Sequence, residues 1–209
     1  MKYMPVLTSK QIEDNHNIFN ERRNLYKEKG LDFLKSREFI LEKARPLQGN
    51  ILEIGSGKGI MALSLAKAGY SFTSVDNNEE ILLITALNLA YENLFFKAEL
   101  YVMDAYVLEF KENSFNNVFI VEALHHMDDI EGIFSEVDRV LSKEGKLVLA
   151  DFNRKGMEIV DLVHGQEGRK HESSFIGRDE VESWLDRNGY KIKRYEDKCH
   201  WILIAAKEK

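Results

Sequence analysis

The chain has 209 residues, of which 44% are hydrophobic and 31% are charged, and this composition predicts a globular protein with one full hydrophobic core. The net charge of −6 argues against nucleic acid as a partner, because proteins that grip a phosphate backbone carry a basic face. Cys199 is the single cysteine, which excludes an internal disulfide framework and a Cys-x-x-Cys metal site.

Apolar runs such as Trp201 to Ala206 are far too short to span a bilayer, so no membrane partner is expected. Met1 to Gln11 has no apolar signal segment, which predicts a cytoplasmic protein. The two prolines, Pro5 and Pro46, form no linker. Residues 1–209 are therefore expected to form a single domain.

Two helices are predicted ahead of the first strand. Lys10 to Glu28 repeats apolar residues every seven positions, and Leu31 to Ala44 carries apolar rows along two sides. These helices either pack on the sheet or cover the functional site as a lid. In a lid, Arg22, Arg23 and Tyr26 face a substrate; the alternative is ordinary exposed helix surface.

A short apolar run, Ile51 to Ile54, leads into a glycine-rich turn with Gly55, Gly57 and Gly59. Strand, glycine turn and helix in this order hold a nucleotide-like cofactor at the carboxyl end of a parallel sheet. A phosphate-binding loop is excluded, because Gly59 stands where its Ser or Thr is required. Ile60 replaces the third glycine of the dinucleotide fingerprint. The remaining alternative is a turn whose glycines serve the bend alone.

The next predicted strand, Ser71 to Val75, ends in Asp76. A carboxylate at this point accepts hydrogen bonds from both ribose hydroxyls of a cofactor, although Asp76, Asn77 or Asn78 equally suits the N-cap of the following helix. Further helices and strands are predicted for Glu80–Tyr91, Ala98–Met103, Phe115–Val121, the helix from Ile130 that Gly145 closes, Lys146–Ala150, Arg178–Gly189, Tyr190–Tyr195 and His200–Ala206. Asp151 to Phe175 shows less regular spacing.

Glu53 lies two residues ahead of the glycine turn, and acids at Asp76 and Asp104 end the next two strands. This arrangement, with the string from Asn117 through His125 and His126 to Leu149, resembles the class I S-adenosylmethionine-dependent methyltransferases, in particular their small-molecule branch. The resemblance is close over residues 49–150, and beyond them it concerns topology only.

The resemblance implies an α/β fold: a three-layer Rossmann-like sandwich with an N-terminal helical extension. Its sheet has seven mostly parallel strands in the order 3-2-1-4-5-7-6, with strand 7 antiparallel. Residues 1–48 then form the N-terminal helices, residues 49–151 the cofactor-binding core, and residues 152–209 an acceptor-side loop, the last helix and a hairpin.

The implied cofactor is S-adenosyl-L-methionine, which becomes S-adenosyl-L-homocysteine. In this family an acid at the position of Asp104 binds the adenine amino group, and the next backbone N–H, here Ala105, reaches the ring; the alternative for Asp104 is a turn-forming Asp. The residues expected to bind the cofactor are Glu53, Gly55, Ser56, Gly57, Gly59, Asp76, Asn77, Asp104, Ala105 and Glu122.

Methyl transfer is an in-line displacement that requires alignment and exclusion of water. His125 and His126 are the candidate general bases, and the alternative is that they pack against the cofactor or cap the next helix. Asp151 and Glu122 are weaker candidates. His164, His171 and Glu172 match no short metal motif, so no metal site is predicted.

The chain lacks both a catalytic cysteine and an Asn/Asp-Pro-Pro-Tyr motif after the fourth strand, where Glu122 stands instead. Both absences favour a small-molecule acceptor over a nucleic-acid base, while a protein side chain stays open. One rival is a non-catalytic S-adenosylmethionine-binding or partner-binding protein of the same fold. The other, a nicotinamide oxidoreductase, is disfavoured by Ile60 and Glu53.

Overall fold

The structure is a computed structural model that describes residues 2–168 and 176–207. Its helices are α1 (Ser9–Glu28), α2 (Phe33–Ala44), α3 (Ile60–Lys67), α4 (Glu79–Tyr91), α5 (Ile130–Val140), α6 (Arg154–Gln166) and α7 (Arg178–Arg187). Its strands are β1 (Lys2–Tyr3), β2 (Ile51–Ile54), β3 (Phe72–Asp76), β4 (Ala98–Val102), β5 (Phe115–Val121), β6 (Leu141–Phe152), β7 (Tyr190–Glu196) and β8 (His200–Lys207).

The eight strands form one sheet in the order β1-β4-β3-β2-β5-β6-β8-β7. Five neighbouring strands run parallel, namely β4, β3, β2, β5 and β6. Strand β8 lies between β6 and β7 and is antiparallel to both. This confirms the predicted α/β class, and the predicted order holds for seven of the strands. The eighth is β1, which pairs antiparallel with β4 at the edge; two residues carry too little pattern to be predicted as a strand.

Alternating side chains of the central strands supply two cores on opposite faces of the sheet. Leu52 of β2 and Val118 of β5 belong to the core under α5 and α7. Ile51 and Phe119, their neighbours along the same strands, belong to the core under α2 and α3. The parallel strands are thus covered on both faces, and their carboxyl ends meet at one edge, where the turns after them form the site.

Two local predictions were wrong. The stretch predicted as irregular contains α6, whose buried residues Gly156, Ile159, Val160 and Val163 recur at helical spacing. Gly145 does not close α5, because that helix ends at Val140 and the chain enters β6 directly. Within residues 2–168 and 176–207, none of the helices combines the length and apolar character needed to cross a bilayer.

Candidate active site

The turn between β2 and α3 is shaped by its glycines. Gly55, Gly57 and Gly59 all have positive φ, at 77°, 51° and 73°, a region that side chains other than glycine disfavour. A Cβ at Gly57 would meet nothing within 4 Å and would project into open space, whereas one at Gly55 would lie 2.6 Å from the Cβ of Ala123. Gly57 thus leaves its backbone bare on the open side of the turn.

Asp76 ends β3 beside this turn. Its Oδ2 accepts a hydrogen bond from the Gly57 amide at 3.1 Å, and its Oδ1 accepts one from the Asn78 amide at 3.1 Å. The Ser56 hydroxyl lies farther from Oδ2, at 3.4 Å. A carboxylate has about four lone-pair sites, so Asp76 orders the turn and retains capacity for a ligand hydroxyl.

The larger of two adjoining cavities, about 560 Å³, opens in front of the turn. Seven of the residues predicted to bind the cofactor line it: Gly55, Gly57, Asp76, Asn77, Asp104, Ala105 and Glu122. The turn after β4 also supplies Tyr106, whose hydroxyl donates to Asp128 at 2.9 Å. Asp104 Oδ1 accepts a hydrogen bond from the Tyr106 amide at 3.0 Å. Asp104 therefore forms the turn and at the same time lines the cavity from an exposed position.

Glu53, Ser56 and Gly59 do not border this cavity. Glu53 is buried behind the turn, where the Ser74 hydroxyl donates to its Oε2 at 2.5 Å and its Oε1 has no hydrogen-bond partner. Burial raises the pKa of the Glu53 carboxyl to about 8, although Ser74 and Arg37 act in the opposite direction. A cofactor contact of Glu53 therefore stays a prediction.

Ser56 and Gly59 support the turn from within. The Gly59 amide donates to the Ser56 carbonyl at 2.8 Å, and a Cβ at Gly59 would come within 3.0 Å of the Thr85 backbone. The Thr85 hydroxyl in turn donates to the Gly57 carbonyl at 3.0 Å. These contacts fix the turn against α4, and direct contacts of Ser56 and Gly59 with a cofactor stay predictions.

The smaller cavity, about 300 Å³, lies between α1, α6 and the ends of β5 and β6. Its lining includes Arg22, Arg23 and Tyr26. These are the three α1 residues that were expected to face a substrate if the N-terminal helices form a lid. The two cavities adjoin, because four residues border both: Gly57, Lys58, Glu122 and His126. The two cavities therefore share a boundary beside the tip of the glycine turn.

Helix α1 extends over the strand ends and is tied down at two places. Asn15 donates to the side chain of Asn88 on α4 at 2.8 Å, and Asn88 donates to the Lys58 carbonyl at 2.8 Å. Near its other end, Arg22 forms an ion pair with Glu167 at 3.1 Å. The helix is thus linked through Asn88 to the same turn that borders both cavities.

The two candidate bases differ in setting. His125 is buried, and its Nδ1 lies 2.7 Å from Oδ1 of Asp151, whose Oδ2 also accepts from the His125 amide at 3.0 Å. His126 is exposed and borders both cavities. The Asp151 carboxylate accepts from the Nδ1–H, so the neutral His125 ring carries its lone pair on Nε2. Asp151 therefore orients His125.

Glu122 belongs to a buried network that was not predicted. Arg37 donates to both carboxylate oxygens, at 2.8 and 2.7 Å, and His200 Nε2 lies 2.6 Å from Oε1. Asp197 completes the network at Nδ1 of His200, 3.0 Å away. Glu122 has a φ of 55°, a strained value for a residue with a side chain.

The charges of this network support one another. Burial alone would raise the pKa of Glu122, but the charge of Arg37 and the contact with His200 outweigh it and lower that pKa to about 2. Burial also opposes a charged His200, but its hydrogen bonds to Asp197 and Glu122 outweigh it and raise its pKa. Glu122 is thus held as a carboxylate at the junction of the cavities.

Among residues 2–168 and 176–207, no cluster of three or more His, Cys, Asp and Glu side chains could hold a metal ion. His164 lines the smaller cavity. His171 and Glu172 lie outside the described residues, so the structure does not address their place.

Several residues around the site were not predicted from the sequence. Arg37 and His200 are 85 and 78 positions from Glu122 along the chain, and neither belongs to a motif. Phe152 and Val160 line the smaller cavity from β6 and α6. The helical spacing of the buried residues within 154–166 is the sequence signal that would have predicted α6, and with it the position of Val160 in the cavity wall.

A mostly parallel sheet with a glycine turn and an acid at the next strand end defines a Rossmann-like protein that binds a nucleotide-type cofactor. A family model described as a methyltransferase domain matches residues 52–149. The ubiquinone/menaquinone biosynthesis C-methyltransferase UbiE of Rickettsia prowazekii (strain Madrid E) is 31% identical over 150 residues, which are 69% of this chain and 58% of that protein.

A ubiquinone biosynthesis O-methyltransferase of Xanthomonas axonopodis pv. citri is 24% identical over 164 residues, covering 75% of this chain and 68% of that protein. A solved S-adenosylmethionine-dependent methyltransferase of Methanococcus maripaludis, itself described as putative, has a TM-score of 0.67 at 20% identity and covers 99% of this chain and 98% of its own. Residues 52–149 are thus similar to a methyltransferase domain, and the fold is the class I, Rossmann-like methyltransferase fold that the sequence predicted. The chain spans 58% of the UbiE relative.

Proposed function

We propose that the chain binds S-adenosylmethionine in the larger cavity and transfers its methyl group to a small molecule in the smaller one. The observation that carries the proposal is the junction of the two cavities at Gly57, Lys58, Glu122 and His126. A donor and an acceptor bound there meet across the turn, which is the alignment that methyl transfer requires.

The residues around the larger cavity fit the cofactor. Gly57 leaves room where a Cβ would fill the cradle, Asp76 offers its carboxylate to the ribose hydroxyls, and Asp104 with Ala105 borders the place for adenine. When bound, S-adenosylmethionine supplies an electrophilic methyl carbon on a sulfonium, and its displacement leaves S-adenosylhomocysteine.

His125 is the proposed general base. Asp151 fixes the ring with Nδ1 protonated, so that Nε2 accepts a proton from the acceptor as the nucleophile forms its bond to carbon. Asp151 also stabilises the imidazolium that results. His126 borders both cavities from an exposed position and serves to contact donor and acceptor rather than to move the proton.

The proposed acceptor is a small molecule and not a nucleic acid. The cavity that would receive it measures about 300 Å³, and a chain with a net charge of −6 attracts a phosphate backbone poorly. The relatives named above methylate carbon in one case and oxygen in the other, so the atom methylated is left open between them.

We further propose that residues 1–48 act as a lid, with α1 as its cover. The Arg22–Glu167 and Asn15–Asn88 contacts support this, because they join α1 to opposite sides of the cavities. Limited proteolysis of the full chain tests it: S-adenosylhomocysteine is expected to slow cleavage within residues 1–45. Equal cleavage with and without it would count against a lid.

The activity itself is tested with S-adenosylmethionine and a mixture of small phenols, aromatic amines and aromatic carboxylates. Wild type is expected to form S-adenosylhomocysteine together with a product heavier by one methyl group, detected by mass spectrometry. A protein that binds S-adenosylmethionine yet forms no product with any acceptor in the mixture would favour the rival, a non-catalytic binding protein.

A further inference from the structure

Several cationic side chains border the smaller cavity. Three cationic side chains, Arg22, Arg23 and Lys58, line it together with three histidines. Among its described lining residues Glu122 is the only carboxylate, and it is already paired with Arg37 and His200. Arginine and lysine thus outnumber carboxylates among the described residues of this wall, although the whole chain carries a net charge of −6.

The neighbouring arginines of α1 are engaged differently. Arg22 is held by Glu167 at 3.1 Å. Arg23 is half-buried, its guanidinium lies 5.4 Å from the centroid of the Phe19 ring, and no carboxylate in the described ranges forms an ion pair with it. A partly desolvated guanidinium without a counter-charge gains more from an anionic ligand than from a neutral one.

The remainder of the wall is largely apolar, with Phe33, Ile60, Ile84, Phe152 and Val160. Its volume of about 300 Å³ lies at the small end of ligand pockets. A ligand with a ring-sized apolar body and one anionic group matches both the size and the chemistry of this cavity.

We propose that Arg23 binds a carboxylate of the methyl acceptor and thereby selects small apolar carboxylates; this rests on the proposed function, which makes the smaller cavity the acceptor site. The planar guanidinium fork matches a carboxylate with two parallel hydrogen bonds. The cofactor also has a carboxylate. Arg23, however, borders only the smaller cavity, whereas Asp76 and Asp104, which are proposed to bind the cofactor, border the larger one.

The test is calorimetric titration of the protein, saturated with S-adenosylhomocysteine, with benzoate and with benzamide, which share a shape and differ in charge. Wild type is expected to prefer benzoate by about tenfold or more, the size of a charge-assisted hydrogen bond. Arg23→Gln is expected to bind both alike, and Arg23→Lys to keep part of the preference. Lys10→Gln, which removes an exposed charge from the same helix, is expected to match wild type.

Equal affinities in wild type, no binding of either probe at millimolar concentration, or a benzoate preference that survives Arg23→Gln would overturn the inference. A parallel comparison uses S-adenosylhomocysteine and 5′-methylthioadenosine, which lacks the amino-acid end. If Arg23→Gln weakens only the former, Arg23 binds the cofactor's carboxylate, and the inference is overturned as well.

The same probes are titrated into the ligand-free protein, so the readout requires neither turnover nor bound cofactor. A benzoate preference that depends on Arg23, in a protein that transfers no methyl group, supports carboxylate binding by Arg23 and contradicts the proposed function. Methyl transfer to neutral acceptors without any benzoate preference supports the proposed function and overturns the inference about Arg23.

Discussion

Arg37 on α2 donates two hydrogen bonds to the carboxylate of Glu122, and both side chains are largely buried. The pair joins the N-terminal helices to the end of β5, at the junction of the two cavities. A charge placed there needs its partner, because a buried carboxylate without one is costly. The stability of the chain and the shape of the site thus depend on the same contact.

Replacing Arg37 should therefore destabilise the protein strongly. Arg37→Met is expected to lower the free energy of unfolding by about 3–5 kcal/mol, the cost of removing one partner of a buried ion pair. Arg154→Met is the control, because its pair with Glu158 is exposed and worth at most about 0.5 kcal/mol. Urea denaturation measures both. Similar losses for the two variants would contradict a structural role for the Arg37–Glu122 pair.

The His125–Asp151 contact predicts a loss of turnover without a loss of cofactor affinity. His125→Gln removes the base, and Asp151→Asn removes the acceptor that keeps the proton on Nδ1, so each is expected to lower kcat by roughly 10²–10⁴-fold. His16→Gln serves as the control, because His16 stacks on Tyr91 away from both cavities. Steady-state kinetics and calorimetry separate the two effects; wild-type kcat in His125→Gln would refute the assignment.

Gly57 and Gly69 form a matched pair for the glycine turn. Both have positive φ, and a Cβ at either would meet nothing within 4 Å, so Ala at each is expected to cost about 1 kcal/mol or more through backbone strain alone. Only Gly57 borders the cavities. Gly57→Ala should therefore also weaken S-adenosylhomocysteine binding by about tenfold or more, and equal affinities of the two variants would exclude close approach of the cofactor.

Glu53 should make stability depend on pH in an unusual direction. Its pKa is raised from 4.5 to about 8, so between these values the unfolded chain releases a proton that the folded chain retains, and stability falls as the pH rises. Glu53→Gln keeps a neutral acceptor for Ser74 and removes this penalty, which is on the order of 3 kcal/mol near pH 7.

Thermal unfolding from pH 5 to pH 8 measures this effect. The Glu53→Gln variant is expected to gain on wild type as the pH rises, whereas Glu109→Gln, which alters an exposed carboxylate, is expected to follow wild type throughout. Parallel curves for Glu53→Gln and wild type would show that Glu53 ionises normally in the folded protein.

The sequence was informative where function depends on local geometry. The glycine turn, Asp76 and Asp104 lie at strand ends, and the periodicity of the strands was enough to locate those ends. The residues that line the cavity at these positions were accordingly predicted. Glu53 shows the limit of that reasoning, since all four residues of β2 are buried and the Glu53 carboxylate accepts a hydrogen bond from Ser74 instead of lining the cavity.

The acceptor side was less accessible to prediction because distant segments build it. Arg37, Glu122 and His200 come together only when α2, β5 and β8 are in place. Arg22, Arg23 and Tyr26 were considered for a substrate surface, but ordinary helix surface explained their pattern equally well. Only the packing of α1 over the strand ends separates these two interpretations.

The most direct test of the account is a calorimetric titration of wild type and Asp76→Ala with S-adenosylmethionine, S-adenosylhomocysteine and NAD. We expect both adenosyl ligands to bind wild type at micromolar affinity, NAD to bind neither protein, and Asp76→Ala to weaken both adenosyl ligands by about tenfold or more, because the ribose loses its carboxylate partner. If no ligand binds, or if NAD alone binds, the assignment of the larger cavity is wrong, and the proposed methyl transfer is contradicted with it.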